Sequence, residues 1–233
     1  MKVVVIIPAF NEEESVAKVL RDIPTDLVDE VIVVDNDSTD GTAEAARAAG
    51  ATVVHEPQRG YGKACLTGID YASKVPPDVV VFLDADYSDF PQEMGALVRK
   101  IEEGYDMVIG SRVLGRAEKG ALLPQARWGN WLAVCLIKLF FGYEFTDLGP
   151  FRALKWSSLI ALGMRDEDFG WTVEMQVKAA RLGFNTVEIP VSYRKRIGVS
   201  KVTGTLSGTV RAGYKILYTI FKYALVPAKE SAV

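Results

Sequence analysis

Histidine is almost missing from this chain. His55 is the only one in 233 residues, and cysteine is limited to Cys65 and Cys135. A zinc site or a Ser-His-Asp triad would have to use His55, which ends the run Ala51-Thr52-Val53-Val54 with no partner motif beside it. We read it as a strand-end or loop residue. The two cysteines form no metal or redox spacing, so a reducing compartment is expected. No apolar run reaches the roughly 20 residues that span a membrane. Met1-Lys2 leads straight into Val3–Ile7, which is too short for the apolar core of a signal peptide and lacks a small-residue cleavage site. A net charge of -3 and a pI near 5.4 leave no general basic field, which argues against a nucleic-acid partner. Two glycine signatures are absent as well. Pro8-Ala9-Phe10-Asn11-Glu12 stands where a dinucleotide fold wants Gly-x-Gly-x-x-Gly, and Gly60-Tyr61-Gly62-Lys63-Ala64 lacks the spacing and the hydroxyl of a P-loop.

What is present is a regular alternation. Hydrophobic residues make up 49% of the chain and charged residues 24%, enough for a sizeable core and too little charge for global disorder. Short β-branched runs occur at Val3–Ile7, Val31–Val34, Thr52–Val54, Val79–Leu83 and Met107–Ile109. Between them lie helical stretches, Glu12–Asp22, Thr42–Ala49, Lys63–Lys74 and Gln92–Glu103, with Asn11 as the expected cap of the first. Strands alternating with helices predict an α/β fold with a mainly parallel sheet. The second half predicts an apolar segment at Trp128–Phe141, a loop into a short strand around Phe145–Ala153, a helix over Trp171–Leu182 ended by Gly183, an edge strand with Pro190, a basic loop over Arg194–Lys201 and a long last helix, Leu206–Val226.

Two strands end in paired carboxylates. Val79–Leu83 delivers Asp84-Ala85-Asp86, and Val31–Val34 delivers Asp35-Asn36-Asp37. Ligands of open α/β sheets bind at the carboxyl edge. Asp84 and Asp86 there suit Mg²⁺ or Mn²⁺, which in turn neutralises a diphosphate. Asp35 and Asp37 can accept hydrogen bonds from a nucleobase and its ribose. Gly60 and Gly62 let the backbone pass close to a ligand, and Lys63 can reach a phosphate.

Pro8–Glu12, Asp35–Thr42, Arg59–Ala64, Asp84–Asp86 and Gly110-Ser111-Arg112, in this order, resemble the family 2 glycosyltransferases, which use nucleotide-activated sugars on a GT-A fold. Leu148–Arg152, Gly170–Glu174 and Arg196–Lys201 look like the dolichyl-phosphate mannose synthase and polyprenyl-phosphate glycosyltransferase branch. The resemblance implies an inverting transfer of a hexose from a UDP- or GDP-linked sugar to a polyprenyl phosphate. It implies a donor pocket of Pro8, Ala9, Asn11, Glu12, Asp35, Asp37, Lys63, Asp84 and Ala85, with the metal on Asp84 and Asp86. It further implies an acceptor-phosphate set of Arg112, Arg127, Arg196, Ser200 and Lys201. Asp86, Arg112 and Arg196 would serve catalysis, and Asp147, Trp171 and Glu174 would fall in the sugar region, although Trp171 also reads as a core residue. Ser88 replaces the usual polar amide two residues after Asp86, with Asp89 as a substitute third ligand. A phosphate acceptor needs no strong base, in keeping with one isolated histidine.

Arg211, Lys215 and Lys222 share one face of the last helix, the pattern of an interfacial helix on anionic lipid. The expected organisation is a GT-A catalytic domain over 1–205 and a membrane-apposed amphipathic helix over 206–233, peripheral on the cytoplasmic face. Three other readings compete. A glycosyltransferase for a saccharide or small soluble acceptor would need Asp147 or Glu174 as base. A sugar-1-phosphate nucleotidyltransferase should show a glycine- and arginine-rich loop after the first strand, which is missing. A non-catalytic nucleotide-sugar binding protein would bind without turnover.

Overall fold

The computed structural model describes residues 1–198 and 206–226. One seven-stranded sheet runs in the order β3-β2-β1-β4-β6-β5-β7. Its strands are β1 (Val3–Ala9), β2 (Glu30–Asp35), β3 (Thr52–His55), β4 (Val79–Phe82), β5 (Met107–Ala117), β6 (Arg152–Lys155) and β7 (Thr186–Tyr193). Only β6 is antiparallel to its neighbours, β4 and β5. The predicted strands all form, and β7 lies at the sheet edge, where Pro190 has no ladder bond to break.

Alternation along the strands decides the layers. Val4, Ile6, Ile32, Val34, Val80 and Phe82 face one core, with α3 (Tyr61–Ser73), α5 (Pro124–Phe141), α7 (Trp171–Leu182) and α8 (Leu206–Leu225) above it. Val3, Val5, Ile7, Val33, Val79 and Val81 face the other, under α1 (Val16–Asp22), α2 (Thr42–Ala48) and α4 (Met94–Glu102). A sheet covered on both faces explains why its strands read as unbroken apolar runs. A short helix, α6 (Trp156–Leu162), follows β6 without a turn signal in the sequence.

The first helix starts later than expected, at Val16. Asn11 does not cap it. Asn11 takes a left-handed conformation with φ 52, and its Oδ1 accepts the Thr39 N–H at 2.8 Å. The Glu12 N–H donates to Thr42 Oγ1 at 2.8 Å. The Asn11–Ser15 turn is therefore tied to the turn after β2, so that the carboxyl ends of neighbouring strands share one rigid rim.

Trp171 is a core residue: 1% exposed, it packs edge-on against Phe82 with ring centroids 5.9 Å apart. It lines neither the cavity at the strand ends nor the one beside α8, and its burial favours the core over the sugar region. Trp171→Ala is expected to cost about 3–5 kcal/mol, while Trp131→Ala, at a site 58% exposed, should change stability by no more than about 0.5 kcal/mol. Urea denaturation of both variants measures this; equal losses would contradict the assignment of Trp171 to the core.

Candidate active site

A cavity of about 410 Å³ opens at the carboxyl ends of β1 and β4. Pro8, Ala9, Phe10 and Glu12 form one wall, Arg59, Gly60, Tyr61 and Ala64 another, and Asp84, Ala85 and Asp86 the floor. The remaining lining is Asn36 after β2 and residues from far along the chain: Asp168 and Phe169 before α7, Arg196 after β7 and Arg211 on α8.

The floor carries more negative charge than it can comfortably hold. Burial, then the neighbouring charge of Asp86, raises the Asp84 carboxyl to about 7. Tyr61 donates to Asp84 Oδ1 at 3.0 Å. Asp86 accepts from the Ser88 N–H at 2.9 Å and from the Ser88 hydroxyl. Its other oxygen lies 3.1 Å from Arg196 Nη1. Both oxygens of Asp89 are buried without a hydrogen-bond partner, and burial, Asp84 and Asp86 push its pKa well above the usual carboxylate range. Such an arrangement fits a divalent cation on Asp84 and Asp86, with phosphate oxygens and water completing its shell. Among the described residues no group of three or more His, Cys, Asp or Glu forms a cation cage. Asp89 therefore does not complete one, and Ser88 serves instead to orient Asp86.

Of the residues expected in the donor pocket, Pro8, Ala9, Glu12, Asp84 and Ala85 line the cavity, as do Asp86 and Arg196. The others are engaged outside it. Asn11 holds the Thr39 turn. Asp35 Oδ1 accepts the Ser38 N–H at 3.2 Å, and its Oδ2 lies 3.2 Å from His55 Nδ1. Asp37 pairs with Arg59 at 3.1 Å, and the Arg59 guanidinium sits 3.6 Å over the Phe10 ring. Lys63 faces Glu167 at 3.4 Å. Gly60 and Gly62 also serve the fold rather than a ligand, since a Cβ on either would run into the backbone of Asp166 and Glu167.

The acceptor set divides in the same way. Arg112 is locked to Asp147 by two side-chain bonds, 2.8 and 2.7 Å long, and its N–H donates to the same carboxylate at 2.8 Å. Arg112 and Asp147 thus satisfy each other away from the cavity lining. Arg127 is exposed on the first turn of α5. Ser200 and Lys201 lie outside the described residues. Glu174, 1% exposed, faces away from the cavity. It accepts the Tyr223 hydroxyl at 2.6 Å, pairs with Lys178 at 2.9 Å and accepts the N–H groups of Arg165 and Asp166 at 3.0 and 2.7 Å. It anchors α8 and the loop before α7.

The basic residues of α8 lie on the flank that meets the loop before α7, with Arg211 and Lys222 still exposed. Arg211 lines the cavity. Lys215 pairs with Asp166 at 3.0 Å. Lys222 borders a smaller polar cavity of about 210 Å³ with Arg165 and Glu174. The outward face is apolar instead: Tyr214, Tyr218, Phe221 and Leu225 are exposed, and Phe221 meets Phe140 of α5 at 5.4 Å. Trp128, Trp131 and Leu139 extend this exposed face along α5. No described helix is long and apolar enough to cross a membrane.

Sequence reasoning missed Tyr61, Asp168, Phe169 and Arg211 as cavity residues. Tyr61 carried a signal, standing between two glycines at a helix start. The others carried none, because only the tertiary fold brings them to the strand ends.

The glycosyl transferase family 2 model matches residues 4–154. The chain belongs to this family. An uncharacterized glycosyltransferase of Mycobacterium tuberculosis is 38% identical over 212 residues, covering 90% of this chain and 94% of that protein. The undecaprenyl-phosphate mannosyltransferase of Micrococcus luteus is 32% identical, covering 89% and 90%. Among solved structures, the glucosyl-3-phosphoglycerate synthase of M. tuberculosis in complex with Mn²⁺, UDP and phosphoglyceric acid superposes with a TM-score of 0.76 at 23% identity, covering 97% of this chain and 79% of that one. The family 2 transferase thus has the GT-A fold, with α8 packed onto it.

Glu174 gives the transferase a pH signature. Burial alone would raise its pKa, but the Tyr223 hydroxyl, Lys178 and the two backbone N–H groups outweigh burial and hold it below the ordinary 4.5. A depressed folded value means full stabilisation above pH 4.5, lost as pH falls through that lowered value. Glu174→Gln should flatten the acid limb of the stability curve. At neutral pH it should cost about 3–5 kcal/mol, because it strands Lys178. Urea melts from neutral to acid pH decide; an unchanged acid limb would count against this anchor.

Proposed function

We propose that this transferase moves a hexose from a nucleoside-diphosphate sugar to a polyprenyl phosphate at a membrane surface, with inversion at the anomeric carbon. One observation carries the reading: α8 lines the cavity through Arg211 and exposes Tyr214, Tyr218, Phe221 and Leu225 next to it. A donor site for a diphosphate and a surface for a lipid thus meet on one helix. The relationship to an undecaprenyl-phosphate mannosyltransferase supports the same acceptor class.

The nucleotide lies between the Pro8–Glu12 wall and the Arg59–Ala64 wall, its diphosphate above Asp84 and Asp86. A Mg²⁺ or Mn²⁺ ion on that pair would supply Lewis acidity to the leaving nucleoside diphosphate. Arg196 and Arg211 bring the positive charge that an anionic acceptor needs within reach of the sugar. The acceptor phosphate oxygen is already ionised and attacks the anomeric carbon without a protein base. Asp147 and Glu174, the bases required for a neutral acceptor, are both buried and paired. Asp168 lines the cavity, its pKa raised first by burial and then by Asp166, and is the carboxylate to test if a soluble acceptor proves active.

A panel of UDP- and GDP-sugars with a short polyprenyl phosphate tests the reaction. Product should form only with a divalent cation. Asp86→Ala should lose at least about a hundredfold in kcat/KM, on the scale of a lost charge-stabilising group, while keeping its melting temperature. Full turnover in that variant, or in excess chelator, would sink the metal assignment.

Membrane attachment should rest on the exposed apolar residues of α8 more than on its basic ones. Vesicle co-sedimentation is expected to change little between low and high salt. It should fall when Tyr214, Phe221 and Leu225 are together replaced by serine. Release of the wild type by salt alone would return the anchor to electrostatics.

A further inference from the structure

Arg196 divides its guanidinium between two carboxylates. Nη1 lies 3.1 Å from Asp86 Oδ2, and Nη2 donates to Glu12 Oε1 at 2.9 Å. Its Nε is buried without a hydrogen-bond partner. The Glu12 end of this bridge is rigid. The Ser15 hydroxyl donates to Glu12 Oε2 at 2.9 Å, and the Glu12 N–H is held by Thr42. The Asp86 end is the one a metal must claim. The main chain would stay in place during such an exchange, because the Ile197 N–H donates to the Asp86 carbonyl at 3.0 Å.

We propose that Glu12 is the positioning residue of this site: it shares Arg196 with Asp86 while the metal is absent, and keeps Arg196 beside the phosphates once a divalent cation has taken Asp86. This rests on the reading of Asp84 and Asp86 as the metal pair. A buried carboxylate cannot be left uncompensated, so the guanidinium serves as counter-cation in the empty site. When the divalent ion arrives, it repels Arg196 from Asp86. Glu12 supplies a fixed negative charge that keeps the side chain from swinging into solvent. The released Nη1 is then free to donate to a phosphate oxygen, while Nη2 stays on Glu12.

The test is Mn²⁺ binding without nucleotide, read from the electron paramagnetic resonance signal of the free ion. The variants are Glu12→Gln, Arg196→Gln and the double variant. Arg196→Gln should bind Mn²⁺ about tenfold tighter, because the competing cation is gone. Glu12→Gln should bind it about three- to tenfold more weakly, since Arg196 then has Asp86 as its only carboxylate. In the Arg196→Gln background, Glu12→Gln should change affinity less than about twofold. Equal penalties in both backgrounds would overturn the proposal, because Glu12 would then act only as a distant charge. So would an Arg196→Gln protein that binds Mn²⁺ no tighter than the wild type. Arg196→Lys keeps the charge but cannot span both carboxylates, so it should mimic Glu12→Gln and respond little to its addition. Asp86→Ala separates the two readings: undiminished Mn²⁺ affinity there removes the metal pair itself, whatever the cycle returns.

Discussion

Like charges packed where water is scarce dominate this molecule. Asp84, Asp86 and Asp89 share the end of β4, and each raises the cost of ionising the next. In a partly dry site such repulsion exceeds what a neutral hydrogen bond offsets. The surroundings answer it with donors and cations from every part of the chain. Tyr61 comes from the start of α3, Ser88 from the following turn and Arg196 from beyond β7. The strand end is thus a charged socket whose balance requires a cation, and the cavity is built around it.

The second constraint is the double role of α8. Its polar face grips the loop before α7 through Lys215 and Asp166, and Tyr223 fixes Glu174 beneath that loop. The same loop touches Gly60 and Gly62 and bears Asp168 and Phe169. A helix that seemed in the sequence to be an appendage is therefore a wall of the cavity. Its aromatic residues Tyr214, Tyr218 and Phe221 are left exposed.

Much of the fold was legible because a sheet covered on both faces leaves unbroken apolar runs between capped helices. Pro8, Ala9, Glu12, Asp84 and Asp86 were legible as site residues because they end the central strands, where position follows from topology. Reading failed where a residue type has two equally good physical uses. A tryptophan beside a glycine at a helix start can meet a sugar or a core, and Trp171 meets Phe82. An aligned row of lysine and arginine can face phospholipid or acidic loops, and here Lys215 pairs with Asp166 while Arg211 and Lys222 stay exposed. Two glycines can admit a ligand or another stretch of backbone. The insertion of β6 between β4 and β5 was not readable either, because nothing in the four residues Arg152-Ala153-Leu154-Lys155 states which partner they will choose.

That insertion governs how the chain can assemble. The strands β3-β2-β1-β4 are complete once Phe82 has been made, and apart from the β4–β6 ladder they pair only with one another. β5 is synthesised next but has no partner among them. It must wait for β6, and then for β7, before any of its ladder can form. Until then the edge of β4, Val79-Val80-Val81-Phe82, stays open as a short, wholly apolar template for pairing with another chain. The nascent protein therefore passes through a half-sheet whose exposed edge is the strand that will later hold the charged socket, and closing that edge is the step that separates folding from aggregation.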